Sequence, residues 1–134
     1  MLSRNQSQEK MMTSIYLYLF NQRNNNELNL KEIIEDTFEE SYEEVDIYSK
    51  EVLIKSLQHQ EEIDKLIEDN LSEKLKLSRI NIVAHAILLL AIGQYKYVQE
   101  IKKGEMINVA VELAKKYLDD GEYKFVNAIL DKIL

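Results

Sequence analysis

The sequence predicts an all-α chain, and three observations carry that expectation. Its 134 residues include no proline and only three glycines, Gly93, Gly104 and Gly121, while Leu, Ile, Glu and Lys are abundant. Apolar residues recur at helical intervals, most clearly in YKFVNAILDKIL at 123–134, where they occupy 125, 126, 129, 130, 133 and 134. The polar stretches between such segments are short, which favours antiparallel neighbours in a compact bundle. A chain of this length is one domain, 1–134, with a core that needs no staples.

The first helix is expected from about Gln6 to Asn21, capped by Ser3 or Asn5, with Met11, Met12, Ile15, Leu19 and Phe20 along one face. The run QRNNNELN at 22–29 reads as a loop, and Asn29 is placed to cap LKEIIEDTFEESYEE, a helix whose Ile33, Ile34 and Phe38 turn inward. Asp46 or Ser49 opens a third helix. The next, EEIDKLIEDNL, sets Ile63, Leu66, Ile67 and Leu71 on one side, with His59 at the turn between the two. SEKLKLSRI forms a short amphipathic piece. NIVAHAILLLAIGQYKY at 81–97 is apolar all round and requires covering on every side. Gly104 marks a break before EMINVAVELAKKYL, and the turn DDG at 119–121 separates it from the last helix, with Asp120 as cap.

Composition excludes much chemistry. With no cysteine there are no disulfides and no thiolate ligands, which suits a reducing compartment. The two histidines are 26 residues apart, without metal-ligand spacing, and His85 reads as a satisfied core histidine. The glycines form no phosphate-cradling loop, and no serine sits in a nucleophile elbow. The apolar run at 82–93 is shorter than the roughly 18 residues of a membrane span, and MLSRNQSQEKMMTS lacks a signal-peptide core. The expectation is a cytoplasmic protein without catalytic activity. The net charge of −7 is uneven: residues 1–26 carry +2, 27–73 carry −12 and 74–134 carry +3. The acidity is local and leaves room for a small RNA site.

Two blocks carry a family likeness: INVAVELAKKY at 107–117 and, after a short acidic turn, KFVNAILDKI at 124–133. They resemble INEAVELAKKFG and KFVNGVLDKI of the NusB family, bacterial transcription antitermination factors, with the spacing kept. QEEIDKLIEDNL and LSRINIVAHAILLLA follow the family's acid-rich and central helices. The resemblance implies a NusB-like bundle of about seven helices in two packed subdomains. It also implies binding of a short single-stranded RNA element, boxA, as a heterodimer with the ribosomal protein NusE, at an elongating RNA polymerase. By similarity Lys124, Phe125 and Asn127 lie near the RNA- and partner-binding surface. Together with Arg4 and Lys10 of the first helix they are the expected RNA-binding residues, with Lys102, Lys103 and Tyr16 or Tyr18 as weaker candidates. No cofactor or metal is implied.

The departures from the family pattern are specific. Where members resemble RRxARE, this chain reads RNQSQE, with Asn5, Gln6 and Gln8 where positive charges are expected. In the central helix the pattern VDRAILRLAVYE becomes VAHAILLLAIGQ. Ala84 stands for an acid, His85 and Leu89 for arginines, and Gly93-Gln94 for an aromatic-Glu pair. The changes are expected mostly on charged surface, weakening RNA and NusE contacts and leaving the fold intact. The competing reading is a helical interaction module that has lost RNA binding and pairs with a second copy of itself.

Overall fold

The computed structural model describes residues 2–98 and 100–134. Among them are seven α-helices and no strand: α1 Arg4–Arg23, α2 Leu30–Phe38, α3 Ile47–Gln58, α4 Gln60–Asp69, α5 Ile82–Gly93, α6 Lys103–Tyr117 and α7 Asp120–Ile133. No helix among the described residues is long and apolar enough to cross a membrane.

α5 organises the rest. Every residue from Ala84 to Gly93 is buried, so the helix has no face to offer water and must be enclosed. α1, α3, α4, α6 and α7 all touch α5 directly, and α2 packs on α1. Met11, Ile15 and Leu19 of α1, Val52 and Leu53 of α3, Ile63 and Ile67 of α4, Met106 and Ala110 of α6, and Val126 and Leu130 of α7 close over it. Full burial of such side chains is worth about 1.5–3 kcal/mol each.

Local chemistry sets the ends. Ser3 and Gln6 form a reciprocal capping box that starts α1 two residues earlier than expected. Asn29 caps α2 through the Glu32 amide, and Asp46 caps α3 through that of Ser49. At α7 the cap is Asp119, not Asp120, accepting from the Glu122 amide. Gly104 lies in the first turn of α6 and is no break.

The second helix is shorter than its apolar pattern suggested. α2 stops at Phe38 because Glu39 turns left-handed, at φ 57° and ψ 37°. Carboxylates crowd the sequence there, and a helix C-terminus disfavours negative charge. Glu35 instead accepts a hydrogen bond from the Tyr42 amide, 2.8 Å, drawing the chain into a 3₁₀ turn at Tyr42–Glu44. Within SEKLKLSRI only Leu77–Arg79 is helical, again as a 3₁₀ turn.

α5 itself gives way at Gly93 to a π-helical segment, Gln94–Val98. Gly93 permits a close approach of α5 and α3. A Cβ built there would stand 2.0 Å from Ser56 Oγ, 2.6 Å from its Cβ and 3.0 Å from its Cα on α3.

The buried His85 joins three helices. Its Nδ1 lies 2.9 Å from Arg23 Nη2 at the end of α1, and its Nε2 lies 2.7 Å from Asp64 Oδ1 on α4. A guanidinium only donates, so Nδ1 accepts and the proton resides on Nε2, donated to Asp64.

Gly93→Ala is expected to destabilise the fold by about 1–3 kcal/mol through overpacking against Ser56. Gly104→Ala, where an added Cβ meets nothing within 4 Å, should be neutral or stabilise by up to about 1 kcal/mol. Urea unfolding of the two variants beside the parent checks both, and an undiminished midpoint for Gly93→Ala refutes the close contact.

Candidate nucleic-acid interface

α1 carries the first two expected residues, but not side by side. At about 100° per residue, Arg4 and Lys10 point about 120° apart around the helix. Arg4 is exposed and pairs loosely with Glu105 at the start of α6, 3.7 Å. Lys10 turns the other way and donates to the Thr37 carbonyl in the last turn of α2, 3.1 Å, with Glu39 at 4.0 Å. A cation at a helix C-terminus is well placed against the dipole, so Lys10 holds α2 in position.

α7 presents Lys124 and Asn127 to solvent on one side, while Val126, Ile129 and Leu130 are buried on the other. Phe125 is half-buried and packs against the core. Asn127 is therefore a surface residue of a helix whose stripe faces in, with no need of a buried partner. Beside it, Lys115 of α6 lies over the Tyr123 ring, 5.4 Å from its centroid.

Between α1 and α6 runs an open cleft of about 620 Å³, lined by Asn5, Gln8 and Glu9 from one helix and Asn108, Lys115 and Lys116 from the other. At its edge Glu9 binds Lys116 Nζ through both carboxylate oxygens, at 2.9 and 3.0 Å, and also accepts from the Tyr117 hydroxyl. Tyr117 is 44% exposed, one of the few large apolar side chains at the surface. Lys116 and Tyr117 were not legible as site residues, because their contact crosses 107 and 108 positions of sequence. An aromatic after a lysine pair was the one available signal.

The weaker candidates are largely engaged in structure. Lys103 donates to the Asp131 carbonyl near the end of α7, 3.3 Å. Tyr16 and Tyr18 are half-buried, and Tyr16 stacks with Phe20 at 6.3 Å. His59, at the α3–α4 junction, stacks flat on Tyr97, 3.8 Å between centroids. The Tyr97 hydroxyl donates to Glu62, 3.0 Å, and that bond, followed by one from His59, holds the Glu62 carboxyl below the usual carboxylate range.

The NusB family model matches residues 5–134, nearly the whole chain. The chain belongs to the NusB family. It is 37% identical over 107 residues to the transcription antitermination protein NusB of Bacillus mycoides, covering 80% of this chain and 81% of that protein. Its identity to the NusB of Bacillus cereus is 36% over the same share of both. Among solved structures, T. maritima NusB superposes with a TM-score of 0.82 at 27% identity, covering 98% of this chain and 90% of that one. A structure of the antitermination factors NusB and NusE in complex with dsRNA gives 0.79 at 26%, covering 97% and 94%.

Set against the NusB pattern, the substituted positions of the central helix are not on the surface, as the sequence had suggested. Ala84, His85, Leu89, Gly93 and Gln94 are all buried. Two of the departures meet inside the molecule. Gln8 and Gln94 exchange reciprocal amide hydrogen bonds at 2.7 and 3.1 Å, and the Tyr48 hydroxyl donates to Gln94 Oε1 at 2.8 Å. Burial, then the charge of Glu100, raises the Tyr48 pKa and keeps that hydroxyl a donor. Gln8 is 3% exposed and Gln94 0%. A neutral amide pair therefore stands at positions 8 and 94, where the family pattern has opposite charges. Gln6 is held in the α1 cap by its Oε1. Of the three neutral residues on α1, Asn5 alone stands in the cleft with its side chain open to solvent.

A double-mutant cycle tests the pairing. Gln8→Arg or Gln94→Glu alone buries an unpaired charge and should cost about 3–5 kcal/mol, whereas the two together should recover about 1–3 kcal/mol as coupling. Additive losses in denaturant unfolding would dissolve the connection.

Proposed function

We propose that this NusB-family protein is a non-catalytic transcription antitermination factor of the cytoplasm. It binds a boxA-like single-stranded RNA jointly with NusE and acts at the elongating RNA polymerase. The observation that carries the reading is the likeness to the solved NusB–NusE assembly with RNA, which extends over 97% of this chain at a TM-score of 0.79. Likeness over nearly the whole fold supports a shared mode of assembly in a way that an isolated motif cannot.

The proposed RNA contacts are Arg4, Lys124, Phe125 and Asn127, with Lys10 reaching RNA only by releasing the α2 carbonyl. Arg4 and Lys124 meet phosphate and set the salt dependence. Asn127 offers an amide to a base edge, and the rim of Phe125 meets a base face. Because the α1 substitutions at Gln6 and Gln8 serve a cap and a buried pair, this chain differs from the family's RNA-facing charge mainly at Asn5. The alternative, an interaction module without RNA, draws on a different observation: several cations here already have partners, among them Lys10, Lys103 and Lys116.

Fluorescence anisotropy with a boxA-like single-stranded RNA, with and without NusE across a salt series, separates the two. The antitermination reading expects each ligand to tighten the other. Lys124→Ala should weaken RNA about 3- to 10-fold and flatten the salt slope by about 0.7, the increment for one single-strand phosphate contact. Asn127→Ala should weaken it without moving the slope. Salt-independent binding with no NusE synergy would leave the interaction module standing instead.

A further inference from the structure

We infer that Glu9 is a built-in competitor for RNA, a carboxylate latch that occupies Lys116 and Tyr117 at the α1–α6 cleft until a phosphate takes its place. The inference rests on the RNA-binding reading above and adds a regulatory contact to it.

The geometry is that of a stand-in. Glu9 presents both oxygens to Lys116 Nζ, at 2.9 and 3.0 Å, and takes the Tyr117 hydroxyl as a further donor. Two acceptor oxygens, one ammonium and one phenol form the set that a phosphodiester would also satisfy, and charge-assisted bonds to either anion are of one kind. Access is not an obstacle. The Lys116 side chain is 59% exposed and Glu9 31%, so exchange needs only a rotation of Glu9 into the adjoining cleft. Exposed ion pairs are weak; this one delays a competitor without excluding it.

The latch also decides what Tyr117 does. Its hydroxyl is tied to Glu9 and Lys116 lies over its ring at 5.6 Å. Once Glu9 leaves, Lys116 is drawn to the phosphate, and the half-exposed ring becomes a platform for the neighbouring base. The second cation of the cleft, Lys115, has a looser partner in Glu112, 3.8 Å away. That pair makes an internal control. Both acids carry one charge in the same cleft, but Glu9 alone grips its lysine with two oxygens and a tyrosine.

The test uses the full chain and a fluorescein-labelled boxA-like single strand, with NusE present and absent. Glu9→Gln should bind RNA about 3- to 10-fold tighter than the parent, Glu112→Gln less than about 2-fold tighter. Lys116→Ala should cancel the gain when combined with Glu9→Gln. The affinity for NusE alone, read by isothermal titration calorimetry without RNA, should not move. Thermal unfolding of each variant shows whether it is folded, and Lys116→Ala by itself, which spares Glu9, must weaken RNA binding even where Glu9→Gln proves unstable. If the parent binds RNA with NusE and Glu9→Gln binds no tighter than Glu112→Gln, the latch is wrong and the antitermination reading survives. RNA binding by Glu9→Gln but not by the parent supports the latch. If neither the parent nor any variant binds RNA, both fall.

Discussion

The structure depends on one constraint: α5 is apolar on all sides and must be enclosed. An ordinary amphipathic helix is satisfied by one layer of neighbours, whereas α5 calls for five helices around it, and the chain supplies α1, α3, α4, α6 and α7. Two buried polar side chains on α5 or its continuation tie the surrounding helices together. His85 ties the end of α1 to α4, and Gln94 ties the beginning of α1 to α3. Two polar contacts at opposite ends of α1 fix its rotation about α5. An apolar seam alone tolerates sliding; paired donors and acceptors in a dry interior do not, because a slip leaves each of them unsatisfied.

That rotation aims the candidate residues of α1. With Gln8 turned into the core, Asn5 and Glu9, about 60° and 100° round the helix from it on one side, are carried to the rim of the α1–α6 cleft, and Lys10 is carried toward α2. The neutral pair at positions 8 and 94 therefore matters to the surface without being on it. A neutral amide pair avoids the desolvation of two buried charges while preserving the directional bonds that hold the helix in register. The chain thus departs from the family's charge pattern at both positions while α1 stays bonded to the continuation of α5.

Much of the fold was legible in the sequence because helices are local. The caps at Asn29 and Asp46, the inward stripe of α7 and the greasy stretch of α5 follow from neighbours within one or two turns. The end of α2 was not legible: apolar spacing favoured continuation, and what stopped it was local charge repulsion at a helix C-terminus together with a side chain from α1, 27 residues away. Gly93 looked like a lost aromatic, and only the arrival of Ser56 from another helix explains a residue without a side chain there. The candidate site divided along the same line. Exposure of Lys124 and Asn127 follows from the α7 stripe. The engagement of Lys10, the burial of Gln8 and the meeting of Glu9 with Lys116 are long-range facts that no spacing rule contains.

The pre-paired cations bear on how such a chain could select its RNA. A cation already matched by a carboxylate gives up that partner for any phosphate, specific or not, so the loss falls on every RNA alike. Contacts that depend on base identity or on a bound partner protein are not taxed in this way. Internal pairing therefore lowers general adhesion to RNA and leaves the discriminating contacts intact, which raises the share of affinity that sequence and partner together control. In a chain of net charge −7, weak adhesion by the isolated protein is the consistent outcome. On the proposed reading, the full interface assembles where NusE and a boxA-like single strand are present together.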